Sequence, residues 1–481
     1  MMKRVVLRAA APILTLTAAA WAQTDVRSQN PLSGSVITGT ATAEELPLSL
    51  EDAIRRGLKN NLAGLLDSQN RRSVEGARLR VLAALLPNLS ARVSESSEQV
   101  NLAAFGFRGL PGVPQIVGPF AIGDARATLS QAILNFESIN SSRAASQNVR
   151  AAQFAYQDTR DLVTLAVGDM YLDAVATESR VTLARAQLET DRALYQQAVD
   201  YKTSGLVPAI DVLRAQVEME SQQQRVIFYE NDFEKKKLSV ARAIGLPLDQ
   251  KIRLTDKLPN SPAPPVDLPT LLDRALKGRG DYQSATASVK AAEATRKAAL
   301  AERYPSLDFD GNYGTIGPSF SSNSHGTYLA EVGLNIPIFP GGRIRGDVLD
   351  ADAQLQKRKA ELADLRGRIE FDLKTALLDI QASAKQVEVT ADARNLAAEQ
   401  LGQARDRFKA GVADNLEVVQ AQQAVAMADE NYVSSLYTFS LAKGALVRSI
   451  GGAENLFRDF VLGQSPVLAP PAGAARRNQQ P

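Results

Sequence analysis

The chain of 481 residues contains no cysteine. That excludes disulfides, thiolate chemistry, Cys-based metal sites and a lipidated N-terminal cysteine. There is a single histidine, His325, set among Ser, Asn and Gly, and it reads as a loop residue rather than a base or a ligand. Aromatic residues make up only 6% of the chain, too few for several large globular cores. After the N-terminal segment, no stretch approaches the ~18 consecutive apolar residues of a membrane-spanning helix. If the chain enters a membrane, it must do so as a β-barrel, the other structure that leaves no backbone group unpaired. No Gly-rich phosphate loop, zinc motif or Ser–His pair is present. The many Asp and Glu residues are spread at helix-surface spacing. No cofactor or metal is therefore expected, and the chain does not read as an enzyme.

Residues 1–22 read as a secretory signal. Lys3, Arg4 and Arg8 form its basic region, Ala9–Ala20 is apolar or small, and Ala20-Trp21-Ala22 is an A-x-A cleavage site. Removing those three basic residues takes the formal charge from +2 to near neutral. A near-neutral chain argues against nucleic acid as partner, which calls for a basic stripe.

What the chain does have is an internal repeat. Leu58, Pro87 and Leu89 recur as Leu276, Pro305 and Leu307 at one constant offset. Gly205, Val212, Ala215, Gln216, Arg242, Ile244 and Gly245 recur as Gly411, Val418, Ala421, Gln422, Arg448, Ile450 and Gly451 at a slightly smaller one. One insertion in the first copy, near 103–122, explains the change. The unit is a large structure duplicated, not a solenoid array. The expected order is an extended leader over 23–47, a first repeat over 48–258, a proline-rich linker over 259–269 and a second repeat over 270–455. A tail over 456–481 is expected to be disordered.

Each repeat opens with a helix. The first starts at the N-cap Ser49, with Asp52 at the capping-box position, and runs to about Leu86 before Pro87. The period then changes from helical to two. Arg126, Thr128 and Ser130 alternate with Ala125, Ala127 and Leu129. Asp308, Asp310 and Asn312 alternate with Leu307, Phe309 and Tyr313. Tyr328, Ala330, Val332, Leu334 and Ile336 share one face, with Glu331 and Asn335 on the other. Strands of about ten residues with one apolar face match a membrane barrel, although an edge hairpin on a soluble domain has the same pattern. Residues 103–121 and 317–326 carry turn chemistry and are expected to be irregular.

Very long helices follow, about 139–203 and 344–409. At 1.5 Å per residue each is roughly 95–100 Å long, and no globular domain needs such a rod. Leu355, Leu362, Ile369 and Ala376 repeat with the coiled-coil period. Short turns, Ser204–Pro208 and Ala410–Asn415, lead into returning helices over about 209–244 and 416–450. The expected fold class is thus mostly α with a small β part and a two-fold internal repeat.

Four strands cannot close a barrel, since about eight is the smallest number that fills its own interior. If the four strands do enter a membrane, identical chains must complete the ring. The polar face carrying Arg126, Asp308, Asp310 and Glu331 favours a wide, wet interior of twelve strands from three chains.

The chain resembles the TolC-like outer membrane efflux proteins over about residues 47–455. Gly205-Leu206-Val207-Pro208-Ala209-Ile210-Asp211-Val212 looks like that family's periplasmic tip motif, with Gly411-Val412-Ala413-Asp414-Asn415-Leu416-Glu417-Val418 as its second-copy counterpart. Ile336-Pro337-Ile338-Phe339-Pro340-Gly341-Gly342 is similar to its strand-to-helix junction. The first copy departs there, reading Gln131-Ala132-Ile133-Leu134-Asn135-Phe136. The resemblance implies a homotrimer, with a twelve-stranded outer membrane barrel in lipid above a periplasmic tube of coiled-coil helices. It implies passive export of small molecules or secreted polypeptides, with a periplasmic adaptor and an inner-membrane transporter as partners. Gly205, Leu206, Val207, Pro208, Ala209, Gly411, Val412 and Ala413 would contact the adaptor. Glu417, Asp211 and Asp414 would constrict the pore. Gln420 stands where some members carry a second acid, which argues against a double acidic ring. The competing reading is a soluble periplasmic coiled-coil scaffold or adaptor.

Overall fold

A computed structural model describes residues 30–107, 112, 114–262, 267–319, 323–413 and 415–462. The signal peptide, the start of the leader, Asp414 and the tail from residue 463 lie outside the described residues. The leader's described part makes a 3-10 turn at Pro31–Ser33 and then the short strand β1 (Leu46–Leu48). Helix α1 (Leu50–Asn60) begins as expected, with the Ser49 hydroxyl accepting from the Asp52 backbone N–H. It does not run on to Leu86. Asn61 takes an extended conformation and caps a second helix, α2 (Leu62–Ala83). The Asn61 amide donates to the carbonyls of Leu32 (2.7 Å) and Ala243 (3.2 Å). Three segments are thus tied at a point where neither Gly nor Pro marks a break.

Strands β2 (Asn88–Asn101) and β3 (Ile116–Leu134) form a hairpin longer than expected, because pairing reaches back into the turn-rich insertion. The rod α3 (Phe136–Thr203) spans 68 residues and returns as α4 (Ala209–Ile244). Strand β4 (Ile252–Leu254) pairs in parallel with β1. The second repeat follows as α5 (Leu268–Gly278), α6 (Gly280–Ala301), β5 (Ser306–Gly317), β6 (His325–Asn335), α7 (Arg343–Lys409) and α8 (Asn415–Ile450). His325 therefore opens a strand rather than lying in a loop, and its Nδ1 lies 2.9 Å from the Asn323 carbonyl. The α5–α6 break falls at Arg279, the repeat counterpart of Asn61. There a buried guanidinium bridges Asp281 (2.7 Å) and Asp372 (3.1 Å).

The expected disordered tail is corrected at its start. Residues Ala453–Val461 form α9, and Phe457 is fully buried between Gly168 and Gly444, where only glycine leaves room for its ring. The linker is corrected too. Lys443, wholly buried on α8, donates to the Ser261 carbonyl (2.5 Å) and hydroxyl (2.9 Å), and α5 already begins within the expected linker. Burial pushes the Lys443 pKa down to about 8.

The main core is a belt where both repeats cross. Leu48, Leu50, Tyr171, Ile244, Ile369 and Leu446 meet there, and Tyr171 donates to Asp256 (2.6 Å). Towards the strands, α3 packs on α2 and α6, and α6 on α7. Towards the tips, α3 packs on α4 and α8, and α8 on α7. One flank of the chain is therefore formed by α2 and α4, and the other by α7.

Candidate functional site

The long strands make one antiparallel sheet in the order β2-β3-β5-β6, with β2 and β6 as edges that have no partner among the described residues. Register fixes the faces, because directly opposed residues point the same way. Leu89 opposes Leu129, Ala127 opposes Tyr313, Phe309 opposes Val332 and Leu307 opposes Leu334. The result is a continuous apolar face. Leu89, Val93, Tyr313, Tyr328, Val332 and Leu334 are 60–80% exposed on it. Isolated exposed apolar residues are ordinary, but a whole face of them marks a surface for lipid or a partner.

The opposite face carries Arg92, Asp124 and Arg126 with Asp308, Asp310 and Glu331. All four residues expected to line a wet interior share this face. Arg126 donates to Asp124 on its own strand (2.7 Å), and Asp310 stands directly opposite Glu331. Among the described residues no helix is long and apolar enough to cross a membrane, and no cluster suited to a metal ion occurs.

At the far ends of the rods the two tips are built alike. Gly205 and Gly411 both have φ of 73°, the left-handed region that glycine adopts without strain. Leu206 N–H donates to the Tyr201 carbonyl (2.8 Å), and Val412 N–H to the Arg407 carbonyl (3.1 Å). These bonds satisfy the last carbonyls of each rod. Leu206 and Val412 are about 70% and 67% exposed, and Pro208 starts the returning helix ahead of Ala209. Val207 and Ala413 are half-buried. The rings of Tyr201 and Phe408, 6.0 Å apart, hold the two tips side by side.

The acids expected at the constriction part company. Glu417 is partly exposed and pairs with Arg407 across its own hairpin (3.4 Å). Asp211, expected at the constriction with Glu417, is only 8% exposed and accepts from Arg214 (3.2 Å). Its helix turns it inward, beside buried Val212 and Ala215. Asp414 lies outside the described residues.

Another polar contact escaped the sequence reading. Asp191 of α3, 2% exposed, accepts from Gln422 of α8 (2.5 Å) and Gln187 (3.1 Å). Burial first, then the nearby Glu218, push its pKa up to about 7. The available signal was an acid inside an apolar stripe, since Val181, Ala184, Leu188 and Ala198 are buried along the same helix.

These features have known counterparts. The model of the family described as "Outer membrane efflux protein" matches residues 81–246 and 271–452, one span per repeat. The chain belongs to the outer membrane efflux protein family. Among curated relatives, the "probable efflux pump outer membrane protein TtgC" of Pseudomonas putida is 24% identical over 321 residues. That alignment covers 63% of this chain and 63% of TtgC, so this chain spans under two thirds of that relative's length. The "alkaline protease secretion protein AprF" of Pseudomonas aeruginosa is 23% identical over 358 residues, 70% of this chain and 73% of AprF. The solved structure of the outer membrane protein VceC from Vibrio cholerae superposes with a TM-score of 0.71 at 18% identity, covering 84% of this chain and 96% of VceC. At that identity the likeness speaks for the fold alone, and the fold is that of a TolC-like channel. As a member of this family, the chain resides in the outer membrane.

Proposed function

We propose that three copies of the chain form a passive export duct, with the sheets closing a twelve-stranded barrel and the rods a periplasmic tube. The observation that carries this is the open four-stranded sheet, with an exposed apolar face and two edges that have no partner among the described residues. An unpaired edge in lipid costs several kcal/mol for each backbone group left unsatisfied, so strand β6 of one copy must meet β2 of the next. The flanks agree with this. Leu213, Val217 and Phe228 are exposed on α4, and Phe371, Leu378, Val389 and Leu396 on α7, with seven-residue steps within the α7 set. Such stripes suit helix-to-helix packing between neighbouring copies.

The duct works without chemistry of its own, in series with an inner-membrane transporter and a periplasmic adaptor. The adaptor meets Gly205, Leu206, Val207, Pro208, Ala209, Gly411, Val412 and Ala413, the residues of the twin tips. Glu417 narrows the closed end from the partly exposed side of its helix. Small-molecule efflux is the primary reading, supported by likeness to TtgC. Polypeptide secretion by the same duct is the second, supported by likeness to AprF. A soluble scaffold would require something to cover the apolar sheet face. Deletion of the gene tests the primary reading: toxic small molecules should accumulate and tolerance should fall. Unchanged tolerance together with loss of a secreted protein would favour the second.

A further inference from the structure

The two faces of the sheet exchange character at the end remote from the helices. Up to the level of Val93, Tyr313 and Tyr328, the large apolar residues stand on the outward face, apart from Leu329 opposite Asn312. Beyond that level the outward face holds Glu95, Ser97, Ala121 and Gly123. The inward, hitherto polar face now carries Ile122 opposite Ser96, Phe120 opposite Glu98, and Ile316 opposite Asp124. The register shift past Glu98 puts the extra residue on β3, so Val100 and Val117 pair on the same inward side.

Strand β3 also outruns its second neighbour. Its pairing with β5 ends at Gly123–Gly317, whereas its pairing with β2 continues to Asn101–Ile116. A two-stranded ribbon therefore stands beyond the sheet. It is tied at its base by the Ser319 N–H bond to the Ala121 carbonyl (3.2 Å).

Side chains alternate with a period of two, so a reversal of polarity along a strand means a reversal of surroundings. Lipid lies outside the lower part, and water lies outside the ribbon. An isolated two-stranded hairpin is marginally stable in water and needs its apolar face covered. Among the described residues, the equivalent apolar surfaces on the inward side of a closed ring are those of the same ribbon in the other copies.

We propose that the three β2–β3 ribbons lean over the outer mouth and pack Val100, Val117, Phe120 and Ile122 against one another, making an apolar constriction opposite the periplasmic tips. This rests on the trimeric reading above. Such a constriction closes a pore by dewetting rather than by charge.

The absence of native cysteine gives a clean test. Phe120→Cys, Ile122→Cys and, on the outward side, Ser97→Cys are placed singly in the full chain. Outer membranes are treated with a short membrane-permeant bis-maleimide, and whole cells with a bulky impermeant maleimide. Phe120→Cys and Ile122→Cys should give covalent dimers and lose labelling by the bulky reagent, whereas Ser97→Cys should label and not cross-link. Equal labelling at all three positions with no covalent dimer overturns the constriction. The double variant F120S/I122S should keep the heat-modifiable trimer and pass more current in planar bilayers; unchanged current also counts against it. Absence of any trimer in the unsubstituted protein would instead sink the channel reading itself.

Discussion

Tyr313 and Tyr328 stand directly opposite each other on β5 and β6, 72% and 80% exposed on the apolar face of the sheet. Such a pair has a polar hydroxyl at the end of an apolar ring, which suits the boundary between hydrocarbon and headgroups. It also marks the level above which the sheet's polarity reverses. Val332, four residues further along β6 on the same face, lies deeper in the apolar band. Val332→Arg should destabilise the inserted protein by about 2–4 kcal/mol, the cost of a cation near the bilayer midplane. Its neighbour Glu331 faces the other way, so Glu331→Gln should leave the heat-modifiable trimer intact. Gel mobility of unheated outer membranes compares the two.

A second expectation concerns Asp191 and pH. Its folded pKa, pushed up to about 7, lies above the ordinary carboxylate value of 3.8. Between roughly pH 4 and 7 the native chain therefore holds a proton that the unfolded chain has lost. Stability from this group is complete below pH 4 and is lost as pH rises through 7. Asp169, also pushed up to about 7 by burial, has the same sign. Asp191→Asn keeps an acceptor for Gln422, removes the buried charge, and should stabilise the fold at pH 8 by about 1–3 kcal/mol. Thermal unfolding at pH 5 and pH 8 should show a smaller difference in the variant than in the unsubstituted protein.

The packing of α9 predicts a third result. Phe457 fills the space left by Gly168 and Gly444, and a Cβ on Gly168 would lie 2.3 Å from its ring. Phe457→Ala should cost about 3–5 kcal/mol. Gly168→Ala should cost about 1–3 kcal/mol through overpacking. Melting temperatures of the two variants rank these effects.

At the tips, Gly411→Val forces a β-branched residue to a φ of 73°. Left-handed backbone costs roughly 1–2 kcal/mol for such a residue, enough to remodel one turn but not to unfold a rod packed on α6 and α8. Export should fall while outer membrane trimer persists; full export with a normal trimer would argue against adaptor contact there. Glu417→Ala should reduce cation selectivity and divalent block in planar bilayers. Arg407→Ala, which removes a cation beside Glu417, should shift both in the opposite direction.

How far the sequence reached depended on the range of the interaction. The rods were legible because helical periodicity runs unbroken through Phe136–Thr203 and Arg343–Lys409, and glycine ends both. The strands were legible from period-two alternation, down to the common face of Arg126, Asp308, Asp310 and Glu331. The helix break at Asn61 was not, because its cause is the Leu32 and Ala243 carbonyls, distant in sequence. The ribbon at Ile116–Ile122 was hidden by Gly and Pro, which signal turns locally whether or not a neighbouring strand imposes pairing. Asp211 looked like the counterpart of Glu417 because the repeat aligns them. Their burial differs because each faces different neighbours in its own hairpin. The seat of Phe457 is not legible locally, because the space it fills is made by glycines on two other helices.

The proposed assembly, joining β2 of one copy to β6 of the next, is open to one direct measurement. The unsubstituted protein is extracted from isolated outer membranes, and its mass in detergent is determined by light scattering corrected for bound detergent. The account predicts that extraction requires detergent and that the particle contains three chains. A single-chain particle released by aqueous buffer would contradict it.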